Sequence, residues 1–121
     1  MGVYVKIRGW LECDENQLAA IQAIISSHDD NHYTAGWGLP RQHFNWTYYV
    51  FYGGDIREQE VDWMLDQLRA IARIPASDED EDLVQGVFLA SHEVDGMSEW
   101  QIRQGQVVIS AADSRYHFLD V

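Results

Sequence analysis

Four side chains that could ligate a metal ion lie close together in the first third of the chain. They are His28, Asp29, Asp30 and His32. Zinc and iron accept imidazole and carboxylate ligands, but two histidines four residues apart bind one ion best when both lie on one helix face. The apolar pattern that predicts a helix ends at about His28. We therefore interpret these residues as a polar loop and predict no metal site.

The densest group of carboxylates is an uninterrupted acidic run in the second half of the chain. It consists of Asp78, Glu79, Asp80, Glu81 and Asp82. Calcium needs oxygen ligands that bend around the ion, usually with a glycine at the turn, and this run contains no glycine. We interpret the run as a solvated linker, with contact to a basic partner protein as the functional alternative.

Three more acidic residues, Glu93, Asp95 and Glu99, follow this run, and residues 78–99 contain no lysine or arginine. The run and these three residues together contribute −8 of the net charge of −12. A surface of one sign attracts proteins of the opposite sign and raises their association rates. We therefore predict that these acidic residues belong to a surface that binds a partner protein.

Two places in the sequence carry the residue types of a nucleophile. Cys13 ends a predicted strand just before a predicted helix, but it continues an apolar strand face and the neighbouring Asp14 disfavours a thiolate. Ser91, His92 and Glu93 are adjacent in sequence, which is not the geometry of a catalytic triad. The sequence also lacks a phosphate-binding glycine loop and a zinc-protease motif. We predict no catalytic residue, no cofactor and no enzymatic activity.

Aromatic residues are more numerous than a small core requires, with five Trp, six Tyr and four Phe. Trp37 lies between Gly36 and Gly38 in an irregular stretch, and we predict that it is the most exposed tryptophan. Exposed tryptophan is a typical anchor of protein interfaces. Trp37 is therefore the predicted aromatic anchor, with packing in the core as the alternative.

Hydrophobic periodicity predicts the elements that position these residues. Alternating apolar residues predict strands, and apolar residues at helical spacing predict helices. The predicted strands cover residues 3–13, 45–52, 83–91, 99–103 and 106–112. The predicted helices run from the N-cap Asp14 to about His28, and from residues 55–57 to Pro75. For residues 33–37 the sequence allows either a short strand or a loop.

Three finer expectations accompany this pattern. The dense β-formers of residues 45–52 predict a strand buried on both faces, ended by Gly53 and Gly54. Residues 104–105 are the predicted turn of a C-terminal hairpin. Tyr116, Phe118 and Leu119 are expected to pack against the rest of the chain.

The order of the elements predicts an α+β fold in a single domain that spans residues 1–121. Two helices pack on one face of a mostly antiparallel sheet in this prediction. If the strand at residues 33–37 exists, the first six elements have the order β-α-β-β-α-β. That order is the ferredoxin-like pattern, here with an added C-terminal hairpin.

The charge balance excludes several classes of protein. The chain of 121 residues has 8 Lys and Arg against 20 Asp and Glu. Nucleic acids and anionic membranes attract basic surfaces, so we predict that the protein binds neither.

The single cysteine excludes an intrachain disulfide. No long apolar run and no signal-peptide pattern is present, so we expect a cytoplasmic protein.

Four stretches of the sequence resemble a known group of proteins. They are Arg8-Gly9-Trp10-Leu11-Glu12-Cys13, Gly36-Trp37-Gly38, Asn45-Trp46-Thr47-Tyr48-Tyr49 and Phe51-Tyr52-Gly53-Gly54-Asp55-Ile56-Arg57. Over residues 3 to about 74, the chain is similar to small bacterial immunity proteins. Those proteins are encoded beside polymorphic toxins of the contact-dependent-inhibition, Rhs and type VI secretion kinds.

The resemblance implies a cytoplasmic antidote without catalytic residues. Such a protein binds one cognate toxin domain and blocks its active site or its substrate surface. Many of these toxin domains are basic nucleases, and others modify proteins, for example by ADP-ribosylation. Immunity proteins share no universal binding residues, so the site residues above follow from charge and aromatic content alone. A regulatory or adaptor module, and a small enzyme or metal-binding protein, stay open as alternatives, and self-association is left open.

Overall fold

A six-stranded antiparallel sheet organises residues 2–42 and 44–120, the part of the chain that the computed structural model describes. The strands are β1 (Tyr4–Cys13), β2 (Trp37–Gly38), β3 (Tyr48–Arg57), β4 (Gln85–His92), β5 (Gly96–Arg103) and β6 (Gln106–Ala111). The α-helices are α1 (Glu15–Ser27) and α2 (Val61–Ala72). Shorter 3-10 turns cover Tyr33–Gly36, Glu58–Glu60 and Ser114–Leu119. The predicted α+β class is confirmed. The predicted domain of residues 1–121 also includes residues 1, 43 and 121, which lie outside the described residues.

β1 is the strand on which the sheet is assembled. The strand order is β2-β3-β1-β4-β5-β6, and β1 pairs antiparallel with β3 on one side and with β4 on the other. Trp10, for example, lies opposite Phe51 of β3 and opposite Val87 of β4. A slip of one residue would bring the charged residues of β1 into the core, so its alternating pattern specifies this register.

One face of the sheet carries the hydrophobic core. Val5, Ile7, Leu11 and Cys13 of β1 are buried on this face, and residues of β3, β4 and β5 continue it on both sides. The buried residues of the two helices cover the same face, and they are Leu18, Ile21 and Ile25 of α1 with Met64, Leu65, Leu68, Ile71 and Ala72 of α2. Within the described residues, no helix has the length and apolar character needed to cross a membrane.

Helix α1 begins as the sequence predicts. The carboxylate of Asp14 accepts a hydrogen bond from the backbone N–H of Gln17 at 2.8 Å, and the side chain of Gln17 accepts one from the N–H of Asp14 at 2.9 Å. This reciprocal capping box satisfies two amide groups that would otherwise lack a partner at the start of the helix. The predicted N-cap is therefore confirmed.

The opposite face of the sheet, which we call the open face, carries Lys6, Arg8, Trp10 and Glu12 of β1. Arg8 ties the C-terminal 3-10 turn to this face, because its guanidinium donates to the carbonyl oxygen of Leu119 at 2.9 Å. The same guanidinium donates to the hydroxyl of Ser91 at 3.1 Å. The C-terminal turn therefore lies against the middle of the open face.

β3 differs from the predicted strand in its bounds and its burial. It continues through Gly53 and Gly54 to Arg57, because both glycines pair with residues of β1. The prediction that this strand is buried on both faces is wrong, since Tyr49 and Phe51 are 46% and 55% exposed on the open face. Helices cover only the core face, so the aromatic residues of the other face stay accessible.

Most of the possible strand at residues 33–37 is a 3-10 turn, Tyr33–Gly36, and only Trp37 and Gly38 pair with β3 as a two-residue strand. The carboxylate of Asp30 accepts hydrogen bonds from the N–H groups of His32 and Thr34, both at 2.9 Å. These two N–H groups therefore donate to a nearby side chain and do not pair with a neighbouring strand.

In the C-terminal segment, Tyr116 and Leu119 are half-buried, but Phe118 is 71% exposed, so its predicted packing is wrong.

The contact between β1 and β4 leaves no room for a side chain at Gly9. A Cβ atom there would lie 2.1 Å from the carbonyl oxygen of Val87 and 2.6 Å from the Cα of Phe88. We expect Gly9→Ala to lower the free energy of unfolding by about 3 kcal/mol, because backbone atoms must move apart. The matched control is Gly53→Ala, where nothing lies within 4 Å, and its stability should stay equal or rise by up to about 1 kcal/mol. Urea denaturation followed by circular dichroism measures both, and equal stabilities would contradict this close approach of β1 and β4.

Because the Tyr52 side chain in β3 is buried, its ionisation makes the free energy of unfolding depend on pH. Its hydroxyl donates a hydrogen bond to the carbonyl oxygen of Tyr33 at 2.8 Å. Burial, with smaller contributions from Asp30 and Tyr33, raises the pKa of Tyr52 from 10.0 to about 12. Between these values the native state keeps a proton that the unfolded chain has released. This contribution to stability is therefore complete below pH 10 and is lost as the pH rises towards 12.

We expect Tyr52→Phe to lower the free energy of unfolding by about 1 kcal/mol at neutral pH, because a buried hydrogen bond is lost. The difference between the wild type and this variant should shrink as the pH rises above 10, since only the wild type loses the tyrosine contribution there. Tyr49→Phe is the control at neutral pH, where a half-exposed side chain should change stability by less than about 0.5 kcal/mol. A difference that stays constant across this pH range would refute the assignment to Tyr52.

Candidate functional site

A cleft of about 950 Å³ opens at the end of the sheet where β1 and β5 finish and β4 begins. Six carboxylates line it, and they are Glu12, Asp14, Asp78, Asp80, Glu81 and Asp82. Trp46, at the start of the segment that leads into β3, lines the same cleft, and Arg103 is the one basic residue among its described lining residues. We call this site the acidic cleft.

Hydrogen bonds hold the acidic run in place as one wall of the cleft. The buried side chain of Gln17 donates to the carbonyl oxygen of Asp82 at 2.8 Å. Asp78 accepts from the N–H of Asp82 at 3.3 Å. At the start of α1, Asp14 accepts from the hydroxyl of Ser77 as well as from Gln17. The run is thus an ordered part of the surface, although its side chains are exposed as predicted.

Trp46 is the exposed tryptophan that the sequence does not identify. Its side chain is 76% exposed, and Phe44 in the same segment is 93% exposed. The density of β-forming residues predicts a strand from residue 45, but β3 begins only at Tyr48. No local signal distinguishes Trp46 from the strand residues that follow it. The tertiary pairing of β3 with β1 decides where the strand starts.

Trp37 packs against the core, contrary to the prediction that it is the most exposed tryptophan. Its ring meets Tyr52 edge to face, with 5.1 Å between the ring centroids. The pairing of Trp37 with Tyr52 in the β2–β3 ladder directs its side chain to the core face. Its indole N–H is buried and has no acceptor among the described residues. A binding role for Trp37 stays a prediction.

The eight predicted acidic residues do not form one surface. Asp78, Asp80, Glu81 and Asp82 line the acidic cleft, and Glu79 is exposed beside them. Glu93 and Asp95 lie in the turn at the opposite end of β4, a strand of eight residues, which separates the two groups by roughly 20 Å.

Glu99 lies on the open face, where it accepts a hydrogen bond from the side chain of Gln101 at 2.8 Å. Glu12 and Asp14, which the charge count of residues 78–99 could not include, join the cleft instead. Proximity along the chain therefore identifies only part of the acidic surface.

Two groups of possible metal ligands come together among the described residues. Asp78, Asp80 and Asp82 bring one oxygen each within 4.8 Å of the others, and all three are exposed. The second group is Glu58, His92 and Asp95. Residues His28, Asp29, Asp30 and His32 do not form such a group. The side chains of His28, Asp29 and Asp30 bond to the local backbone, as in the contact of 2.8 Å between His28 Nδ1 and the carbonyl oxygen of Ile24.

The tautomer of His92 disfavours metal binding by the group of Glu58, His92 and Asp95. Its Nδ1 receives hydrogen bonds from the backbone N–H groups of Val94 and Asp95, both at 3.0 Å. A backbone N–H can only donate, so Nδ1 is the acceptor and the ring proton of the neutral imidazole lies on Nε2. Nε2 then donates to the carboxylate of Glu58. This contact ties the end of β4 to the turn before α2 and leaves no lone pair on Nε2 for a metal ion.

Cys13 lies at the edge of the acidic cleft but is not a reactive group there. Burial, followed by the charge of Asp14, raises the pKa of its thiol from 9.0 to about 12. The thiol contacts the carbonyl oxygen of Tyr48 at 3.8 Å. A thiol of this pKa is protonated at neutral pH and is a poor nucleophile. Cys13 therefore belongs to the core, as its place in the alternating pattern of β1 predicts.

The acidic cleft thus combines a concentration of negative charge with the large exposed side chain of Trp46. Such a surface suits a basic protein partner, since charge complementarity guides approach and an aromatic residue supplies apolar contact area. Comparison of the chain with protein-family models, with curated proteins and with solved structures gave no match.

Proposed function

We propose that the acidic cleft binds a basic surface of a partner protein. The observation that carries this proposal is the convergence of six carboxylates and the indole of Trp46 on one cleft of about 950 Å³. Four of these carboxylates come from the 78–82 run, and the fold adds Glu12 of β1 and Asp14 at the N-cap of α1. Among the described residues, no arginine forms a salt bridge with any of them.

The chemistry of the cleft suits a partner that binds phosphate groups or anionic substrates. Carboxylates can occupy positions that phosphates take on a basic surface, and they accept hydrogen bonds from Arg and Lys. Their shared negative field accelerates the approach of a basic protein. Trp46 supplies a large apolar side chain with few rotatable bonds, which is typical of the residues that contribute most to interface affinity.

We further propose that the partner is a bacterial toxin domain and that the chain neutralises it in the cytoplasm without catalysis of its own. This step rests on the resemblance of residues 3 to about 74 to immunity proteins. The acidic cleft is compatible with it, because it can cover a basic active site or a basic substrate surface. Immunity proteins share no universal binding residues, so the contact residues follow from the cleft alone.

As part of the same proposal, the first six elements have a ferredoxin-like arrangement with an added C-terminal hairpin. The order β2-β3-β1-β4 supports it, together with the antiparallel pairing of β1 with both β3 and β4. Helices α1 and α2 connect strands that are not neighbours in the sheet, and both cover its core face. In this arrangement the acidic cleft lies at the end of the sheet where α1 begins.

The toxin proposal is tested by co-expression with the protein encoded immediately upstream, in particular with about one domain from its C-terminal end. We expect that this domain alone arrests growth, that co-expression of the chain restores it, and that the two proteins purify as a stoichiometric complex. A toxic neighbour that is neither bound nor neutralised would overturn the toxin assignment and favour an adaptor that binds another protein.

The role of the cleft is tested by charge variants in a kinetic binding assay with the toxin domain. The variant Asp78→Asn/Asp80→Asn/Asp82→Asn keeps the oxygen acceptors but removes three charges from the cleft. We expect its association rate to fall at least about tenfold at low salt and to depend less on salt concentration. The control variant Glu93→Gln/Asp95→Asn/Glu99→Gln removes the same charge elsewhere and should slow association by less than about threefold. Equal effects would show that total charge, not the cleft, controls association.

A further inference from the structure

Strand β6 is an edge of the sheet with free backbone groups. It pairs with β5 on one side only. The N–H of Ala112 donates to the carbonyl oxygen of Met97 at 3.1 Å, which marks residues 97 and 112 as a hydrogen-bonded pair. In an antiparallel ladder these pairs alternate with non-bonded pairs. The amide and carbonyl groups of Val107, Ile109 and Ala111 therefore point away from β5.

The hairpin turn between β5 and β6 shows independently which residues of β6 have outward backbone groups. Gln104 and Gly105 both have positive φ angles, 52° and 79°, as in a two-residue type I′ turn. The residues that flank such a turn, Arg103 and Gln106, form a hydrogen-bonded pair. Bonded and non-bonded pairs alternate from Gln106 onwards, so the even-numbered residues of β6 bond to β5. The backbone groups of the odd-numbered residues therefore point outward.

This edge lacks the features that protect strand edges from pairing. Residues 106–111 contain no charged residue and no proline, and Val108 and Ile109 are 39% and 49% exposed. Among the described residues, no hydrogen bond reaches the outward amide groups of Val107, Ile109 or Ala111. Natural proteins usually block an edge of this kind with charges, proline, a bulge or a covering segment.

We propose that a second copy of this chain pairs with it through β6, antiparallel and about a two-fold axis at Ile109. In this register Ile109 lies opposite Ile109 of the partner subunit, and Val107 lies opposite Ala111 of the partner subunit. All three residues with outward backbone groups then find partners. The two sheets join into one continuous sheet, and Ile109 is buried at its centre.

The charges beside the edge favour a second copy over a different protein. Helix α2 packs against β5 and β6, and its exposed side chains change sign along its length. Asp62 and Asp66 lie in the first half, and Arg69 and Arg73 follow at the C-terminal end. A two-fold axis at β6 sets two α2 helices side by side in opposite directions. The acidic half of each helix then faces the basic half of the other, a self-complementarity that only a copy of the same chain guarantees.

The side chain of Ile109 also borders an apolar groove of about 510 Å³, which Val61 and Trp100 line on the core side of the sheet. The partner subunit's Ile109 would enter next to this groove, so that apolar area is buried as well as backbone groups. A single strand pairing is a small interface, typical of weak and concentration-dependent complexes. The proposal goes beyond the proposed function, because it concerns a different surface and requires no toxin.

Sedimentation velocity of the purified chain tests the proposal over about 10 µM to about 1 mM, the range in which small interfaces associate. We expect the average mass to rise from 14.0 kDa towards twice that value. In parallel, the NMR signal of the Ile109 amide proton should shift with concentration and become protected from exchange. A mass that stays at one chain over the whole range would overturn the proposal.

Ile109→Pro is the diagnostic variant, because proline removes an outward N–H without breaking a hydrogen bond to β5. We expect it to stay monomeric over the same range, with the circular dichroism spectrum of the wild type. Ile109→Thr keeps the N–H and the branched side chain and should still associate. If Ile109→Pro fails to fold, Ile109→Lys replaces it, since two lysines at the axis repel each other. Association that is unchanged in a folded Ile109→Pro or Ile109→Lys variant would overturn the assignment to β6.

Discussion

The pairing of β1 with two strands from distant parts of the chain is the constraint on which the rest of the structure depends. Val5 lies opposite Ile56 of β3 and opposite His92 of β4. Odd-numbered residues of β1 enter the core, and even-numbered residues form the middle of the open face. A shift in register would bury Lys6 and Arg8, and burial of unpaired charges costs several kcal/mol or more. The apolar alternation of one strand thus fixes both the core and the surface.

The acidic cleft is a consequence of where β1 ends. Cys13 closes the strand in the core, and the next residue, Asp14, caps α1. The buried Gln17 then joins this cap to the acidic run through Asp82. The exposed carboxylates of the cleft repel one another, so a basic partner would gain from attraction and from relief of this repulsion. If the proposed function is correct, relief of the repulsion between these like charges would favour a partner of opposite charge.

Local signals explain which parts of the fold can be predicted from the sequence. The alternation of β1, the Asp14–Gln17 capping box and the Gln104–Gly105 turn depend on neighbouring residues, and each occurs where the sequence indicates. The bounds of β3 depend on its pairing with β1, so the exposure of Trp46 has no local signal. Trp37 has the flanking glycines of a loop but pairs with Tyr52 and packs.

The acidic surface follows the same logic. The 78–82 run is visible in the sequence, but Glu12 and Asp14 reach the cleft only through the fold. Glu93 and Asp95 are carried to the far end of β4. Charge along the chain therefore identifies only part of the acidic surface that the fold assembles.

The central position of β1 also determines when the chain can fold during its synthesis. Of the six strands of this sheet, β1 is made before the others, yet its second neighbour, β4, is complete only at His92. Until then the apolar face of β1 has no finished sheet to join, and the loops that must close are long. Folding of the sheet core is therefore expected to wait until β4 has been made. The nascent chain is exposed to aggregation during that interval, when a chaperone that shields apolar strands would be of most use.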